Sequence, residues 1–79
     1  MIENPFRQYV ELLRELHLLM STGKGDSKEA DDIRDQMDMP WLELNDEEHI
    51  ASGRLSEYLY EFEDRPQDTP SVDELLKMA

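Results

Sequence analysis

Two histidines, a run of closely spaced aspartates and one glycine-lysine turn are the residues of this chain whose types and spacing could do chemistry. His17 and His49 are its only imidazoles. A di-metal helical site would need paired glutamates and a Glu-x-x-His motif on facing helices. Asp46-x-x-His49 imitates that motif poorly and occurs once. A catalytic nucleophile would need a base held against it. Ser21, Ser27, Ser52, Ser56 and Ser71 all read instead as helix-cap or surface serines.

Asp31, Asp35 and Asp38 fall at i, i+4 and i+7, with Asp32 beside them. Carboxylates at that spacing share a helix face and could hold a hard cation. The loop before them lacks the alternating acids, central glycine and twelfth-position glutamate of a calcium loop, so a solvated acidic face is the expectation. Gly23-Lys24-Gly25-Asp26-Ser27 superficially resembles a phosphate loop. Its glycines are too close together, no strand precedes it, and Asp26 would repel phosphate, so it reads as a turn. No catalytic, cofactor-binding or metal-binding residue is therefore assigned, and an enzyme is not expected. The aromatics Trp41, Tyr9, Tyr58 and Tyr60 could make a binding patch, but at helical spacing most read as core.

The net charge of −12, from 20 acids against 8 bases, repels nucleic acid and anionic membrane and favours basic partners. The acids concentrate in residues 26–64. With 79 residues and no cysteine, the chain must be held by helix packing or by a partner subunit. No run is apolar for long enough to span a bilayer, and the N-terminus lacks the basic and apolar regions of a signal peptide. A cytoplasmic location is expected.

The elements follow from periodicity and caps. Asn4-Pro5 opens a first helix whose stripe is Ile2, Phe6, Tyr9, Leu13, Leu16 and Met20, widened by Leu12, Leu19 and Val10. Gly23 and Gly25 end it near Ser21. Asp26 with Glu29 matches a capping box for a second helix with the seam Ala30, Ile33 and Met37, ending before Pro40. The short connection predicts an antiparallel hairpin. Trp41, Leu42 and Leu44 are expected to plug its open end. Asn45 with Glu48 caps a third helix facing inward through Ala51, Leu55, Tyr58, Leu59 and Phe62. Gly53 would mark a bend there, or a break, or a close approach of another chain segment. After a loop over residues 64–70, Ser71 with Glu74 opens a short helix through Met78 that must dock or fray.

The run from Leu16 to Tyr60 resembles a set of small, acidic bacterial proteins with no established activity. Leu16-His17, Gly23-Lys24-Gly25-Asp26-Ser27, Glu29-Ala30-Asp31, Ile33-Arg34-Asp35, Met37-Asp38, Pro40-Trp41, Leu44, Glu47-Glu48, Leu55-Ser56 and Leu59-Tyr60 carry the resemblance. It implies a bacterial origin and a stand-alone gene product, and brings no site residues.

The expected fold is all-α: an antiparallel helical hairpin, a third helix packed across it, and a short C-terminal helix. One helical domain is expected over residues 1–65, with a loop and tail over 66–79. The expected core is Phe6, Tyr9, Leu13, Leu16, Met20, Ile33, Met37, Trp41, Leu44, Leu55, Tyr58, Leu59 and Phe62. The expected function is a small protein–protein interaction or regulatory module with no cofactor, binding another protein or itself as a homodimer. Leu18, Ile50 and Tyr60, which lie off the main apolar faces, are its candidate surface. The alternative is an acidic mimic of nucleic acid that blocks a basic DNA- or RNA-binding protein.

Overall fold

Asn4 opens the first helix as its chemistry dictates. Its side-chain oxygen accepts from the backbone N–H groups of Phe6 and Arg7 at 2.9 and 3.4 Å, and Pro5 takes the first helical position. The computed structural model describes residues 4–79, so Ile2 of the expected stripe lies outside the described residues. Helix α1 spans Pro5–Ser21. Gly23 at φ +78° ends it, with the Gly23 N–H on the Met20 carbonyl at 3.1 Å and the Lys24 N–H on the Leu19 carbonyl at 2.8 Å. That backbone conformation favours glycine.

Helix α2 spans Lys28–Leu42, and its start and end both differ from expectation. Ser27, rather than Asp26, is the N-cap. Its hydroxyl donates to the Lys24 carbonyl at 2.7 Å and accepts from the Ala30 N–H at 3.2 Å, so the turn and the helix share one side chain. The helix also runs through Pro40 instead of stopping before it. Proline lacks the N–H that would bond the Gln36 carbonyl, a loss of about 3 kcal/mol in an interior position. Gln36 is exposed to water, Pro40 lies near the helix end, and its ring is fully buried, which offsets the loss.

Helix α3 spans Asp46–Tyr60 and starts in a complete capping box. The Glu48 N–H donates to the Asn45 side-chain oxygen at 2.8 Å, and the Asn45 N–H donates to the Glu48 carboxylate at 3.0 Å. The helix is unbroken at Gly53, which is exposed and has no neighbouring atom within 4 Å of where a Cβ would stand. No ring or backbone therefore approaches it. Gly53→Ala is expected to stabilise the fold by about 0.5–1 kcal/mol, raising the thermal midpoint by a few degrees in a circular dichroism melt.

A single 3₁₀ turn, Pro66–Asp68, leads to helix α4, Val72–Met78. The Ser71 hydroxyl accepts from the Glu74 N–H at 3.2 Å, and the Glu74 carboxylate returns to that hydroxyl at 3.3 Å rather than to the backbone of Ser71. α4 docks instead of fraying. Leu75 is 0 % exposed, the Arg14 Nε donates to the Pro70 carbonyl at 2.6 Å, and the Arg7 Nη1 donates to Asp73 at 2.9 Å.

The described residues form four α-helices and no strand. α1 packs along α2 as an antiparallel hairpin, while α3 and α4 also pack on α1. The core gathers Val10, Leu13, Leu16, Ala30, Ile33, Met37, Leu55, Leu59 and Leu75. Leu44 is buried, and Phe6, Tyr9, Met20 and Tyr58 are half-buried against the core. Trp41 corrects the expected core. It is 39 % exposed and Leu42 is 76 % exposed, because continuing the helix through Pro40 turns the proline inward in their place.

Candidate functional site

Three places bring together residues that could recognise or transform something. The first is inside the α1–α3 interface. His17 is buried, its Nε2 lies 3.2 Å from the Ser56 hydroxyl, and the Tyr60 ring packs edge-on against it with centroids 4.6 Å apart. Its Nδ1 is buried without a hydrogen-bond partner. Burial holds the His17 imidazole below its ordinary pKa, and Glu63 opposes this from a distance. A histidine beside a serine matches a base and its nucleophile by residue type, but no carboxylate orients the second ring nitrogen.

The burial has a consequence for stability. The folded imidazole resists a proton that the unfolded chain accepts near pH 6.5. The stabilisation from keeping His17 neutral is therefore complete above that pH and is lost as pH falls through it toward the lower folded value. Wild type is expected to lose stability on acidification from pH 7.5 to 5.5 relative to His17→Gln. Urea melts of both proteins at the two pH values check this, and parallel losses would contradict it.

The second place is an aromatic stack at the elbow between α2 and α3. The Trp41 ring packs against both His49, at a centroid distance of 4.1 Å, and Tyr9, at 5.3 Å. The His49 Nε2 is 2.8 Å from the Trp41 carbonyl, one of the last carbonyls of α2. Partial burial raises the Tyr9 phenol above its ordinary pKa. These contacts tie three helices together through rings.

The third place is a groove of about 510 Å³ between α3 and the end of α4. Ala51, Leu55 and Tyr58 are its less exposed lining, the floor, and the α3 and α4 sides carry Ile50 and Met78, 59 % and 54 % exposed. Glu47 and Arg54 add one charge of each sign. A second hollow, lined by Phe6, Asn45, Glu48 and Leu76, shares Glu47, Ala51 and Ala79 with it, so the depression continues along the α3–α4 seam. The seam is open because α4 packs on α1 rather than on α3.

The surface residues picked from sequence fall on separate faces. Ile50 lines the groove, Tyr60 is 51 % exposed on the other side of α3 against His17, and Leu18 is half-buried on α1. Tyr58, expected in the core and weighed as part of an aromatic patch, and Met78, expected as the end of the last helix, both line the groove. The one chain signal at the groove is Ile50, an apolar residue beside the main stripe of the third helix. Nothing in the sequence foretells the Trp41–His49 stack, which depends on α2 continuing past Pro40.

The aspartates of α2 stand exposed, with Arg34 on Asp31 at 3.0 Å. Among the described residues no three His, Asp or Glu side chains are grouped to hold a metal ion, and no helix is long and apolar enough to cross a membrane. Exposed carboxylates occur on all four helices. Comparison of the chain with protein-family models, with curated proteins and with solved structures finds no match.

Proposed function

We propose that this protein is a small interaction module that presents the α3–α4 groove to another protein. The observation that carries this reading is that two exposed apolar side chains, Ile50 from α3 and Met78 from α4, line one groove together with Ala51, Leu55 and Tyr58. Large aliphatic side chains left in water on both walls of a hollow gain by being covered. In this reading the protein works in the cytoplasm, without a cofactor, and contacts neither nucleic acid nor membrane directly. The charge of −12 supports that exclusion. The alternative of a nucleic-acid mimic needs one phosphate-like row of carboxylates, and the spread of acids over every helix gives it less support.

Site-specific photo-crosslinking in cells tests the reading. A photoreactive residue at Ile50 is expected to yield a discrete adduct that disappears with Met78→Glu, while the same probe at Asp35 yields none. An adduct from Leu18 or Tyr60 instead of Ile50 would move the docking surface. Equal labelling from all positions would refute a defined surface.

A further inference from the structure

The groove has a length, an apolar floor and a charged rim, and together these specify what fits it. From Glu47 to Tyr58 it follows roughly 16 Å of α3, about three turns of a facing helix. On the α3 wall, Ile50 and Arg54 belong to a row that continues at Glu57 and Glu61, the i+7 and i+11 positions. On the α4 wall, Glu74 stands one turn before Met78. Glu57, Glu61 and Glu74 are exposed, and among the described residues the ion pairs involve other carboxylates. Arg54 and Glu47 are the charged side chains lining the groove; helix register puts Glu57, Glu61 and Glu74 along its two helices, and Lys77 next to Met78, so acids outnumber bases there four to two.

We propose that the occupant of the groove is a basic amphipathic α-helix of a partner protein. This rests on the groove being the docking surface. Aliphatic anchors at i, i+3 or i+4, and i+7 seat between Ile50 and Met78, and lysines or arginines beside them meet Glu57, Glu61 and Glu74. A second copy of this chain fits badly. Its own exposed apolar helix row, Met39 and Leu42 on α2, continues through Asp32 and Asp35 and would bring carboxylates against Glu57 and Glu61. Two chains of net charge −12 also repel each other.

The test is a titration of the full chain, followed by backbone amide NMR, with three synthetic peptides of equal length. One has a leucine face flanked by lysines, one has the same face flanked by glutamates, and one is the lysine peptide scrambled to remove the face. The lysine-flanked peptide is expected to shift the amides of Ile50, Ala51, Arg54 and Met78 and to bind at least tenfold better than either control. Ile50→Glu should weaken it about tenfold or more. Glu57→Gln with Glu61→Gln should weaken it roughly three- to tenfold and flatten its salt dependence. All three substitutions are at exposed positions, so the fold is retained.

Equal binding of the glutamate-flanked peptide in the groove would overturn the basic occupant while leaving the docking surface standing. Equal binding of the scrambled peptide would reduce the effect to bulk charge and overturn the proposal. So would failure of every peptide to shift the groove amides, and an Ile50 adduct in the crosslinking experiment would then keep the groove itself in play. A dimer seated on the groove in sedimentation, abolished by Ile50→Glu, would assign the surface to a second copy and overturn the proposal as well.

Discussion

Leu75→Ala should release α4 while leaving α1, α2 and α3 folded. Leu75 is 0 % exposed, and removing a leucine from such a site costs about 2–5 kcal/mol. The seven residues of α4 have no means of bearing that loss as a helix, because a segment this short is unstable alone. Its other ties are half-buried Val72 and Leu76, the Arg14–Pro70 hydrogen bond and the Arg7–Asp73 ion pair, which is exposed to water and adds little. Undocking therefore sets a ceiling on the damage. Hydrogen exchange should show the amides of residues 72–78 losing protection while those of α1 and α3 keep most of theirs. Retained protection in α4, with a uniform loss elsewhere, would mean that the four helices open as one unit. Met78 forms one wall of the groove, so the variant should also lose the binding described above.

The same substitution at Leu59 should behave differently. Leu59 is 2 % exposed in α3, in one cluster with Leu55 and with Val10, Leu13 and Leu16 of α1. α3 has no way to detach without exposing that cluster, so the full loss of about 2–5 kcal/mol is charged to global unfolding. A domain of 79 residues has roughly 4–12 kcal/mol in all. Leu59→Ala is expected to lower the thermal midpoint by about 10 °C or more and to leave a measurable unfolded fraction at 37 °C. A drop no larger than that of Leu75→Ala would place the cooperative centre of the fold elsewhere than the α1–α3 interface.

The helix starts were legible where the cap is a local transaction. Asn4 with Pro5, and Asn45 with Glu48, use atoms within a few residues of each other. Ser27 was missed beside Asp26 because both can cap, and the choice fell to the turn, where Ser27 bonds the Lys24 carbonyl. Pro40 was misread because its local penalty is visible in the chain and the burial that offsets it is not. The error passed on to Trp41, whose expected place in the core depended on the helix having already ended. Val10 reads only as widening the α1 stripe and His17 is not among its residues, yet both are buried. α1 is covered on more than one side, by α2 and by α3 and α4, so its buried face is wider than that of a helix with one neighbour. The groove was the least legible feature. It is a gap between two helices that meet a third, and no spacing along the chain encodes a gap.

The ring stack at the elbow gives the molecule a built-in optical gauge with a blind side. Trp41 is the only tryptophan, and its ring touches residues of α1 and α3 while sitting on α2. Its emission should follow any separation of those three helices, quenched or released as His49 and Tyr9 move away. α4 contributes nothing to that stack. A fluorescence-detected melt should therefore pass over the departure of α4 without a signal, while circular dichroism registers the lost helix. In this protein, disagreement between the two curves would be a measure of how independently its smallest helix comes and goes.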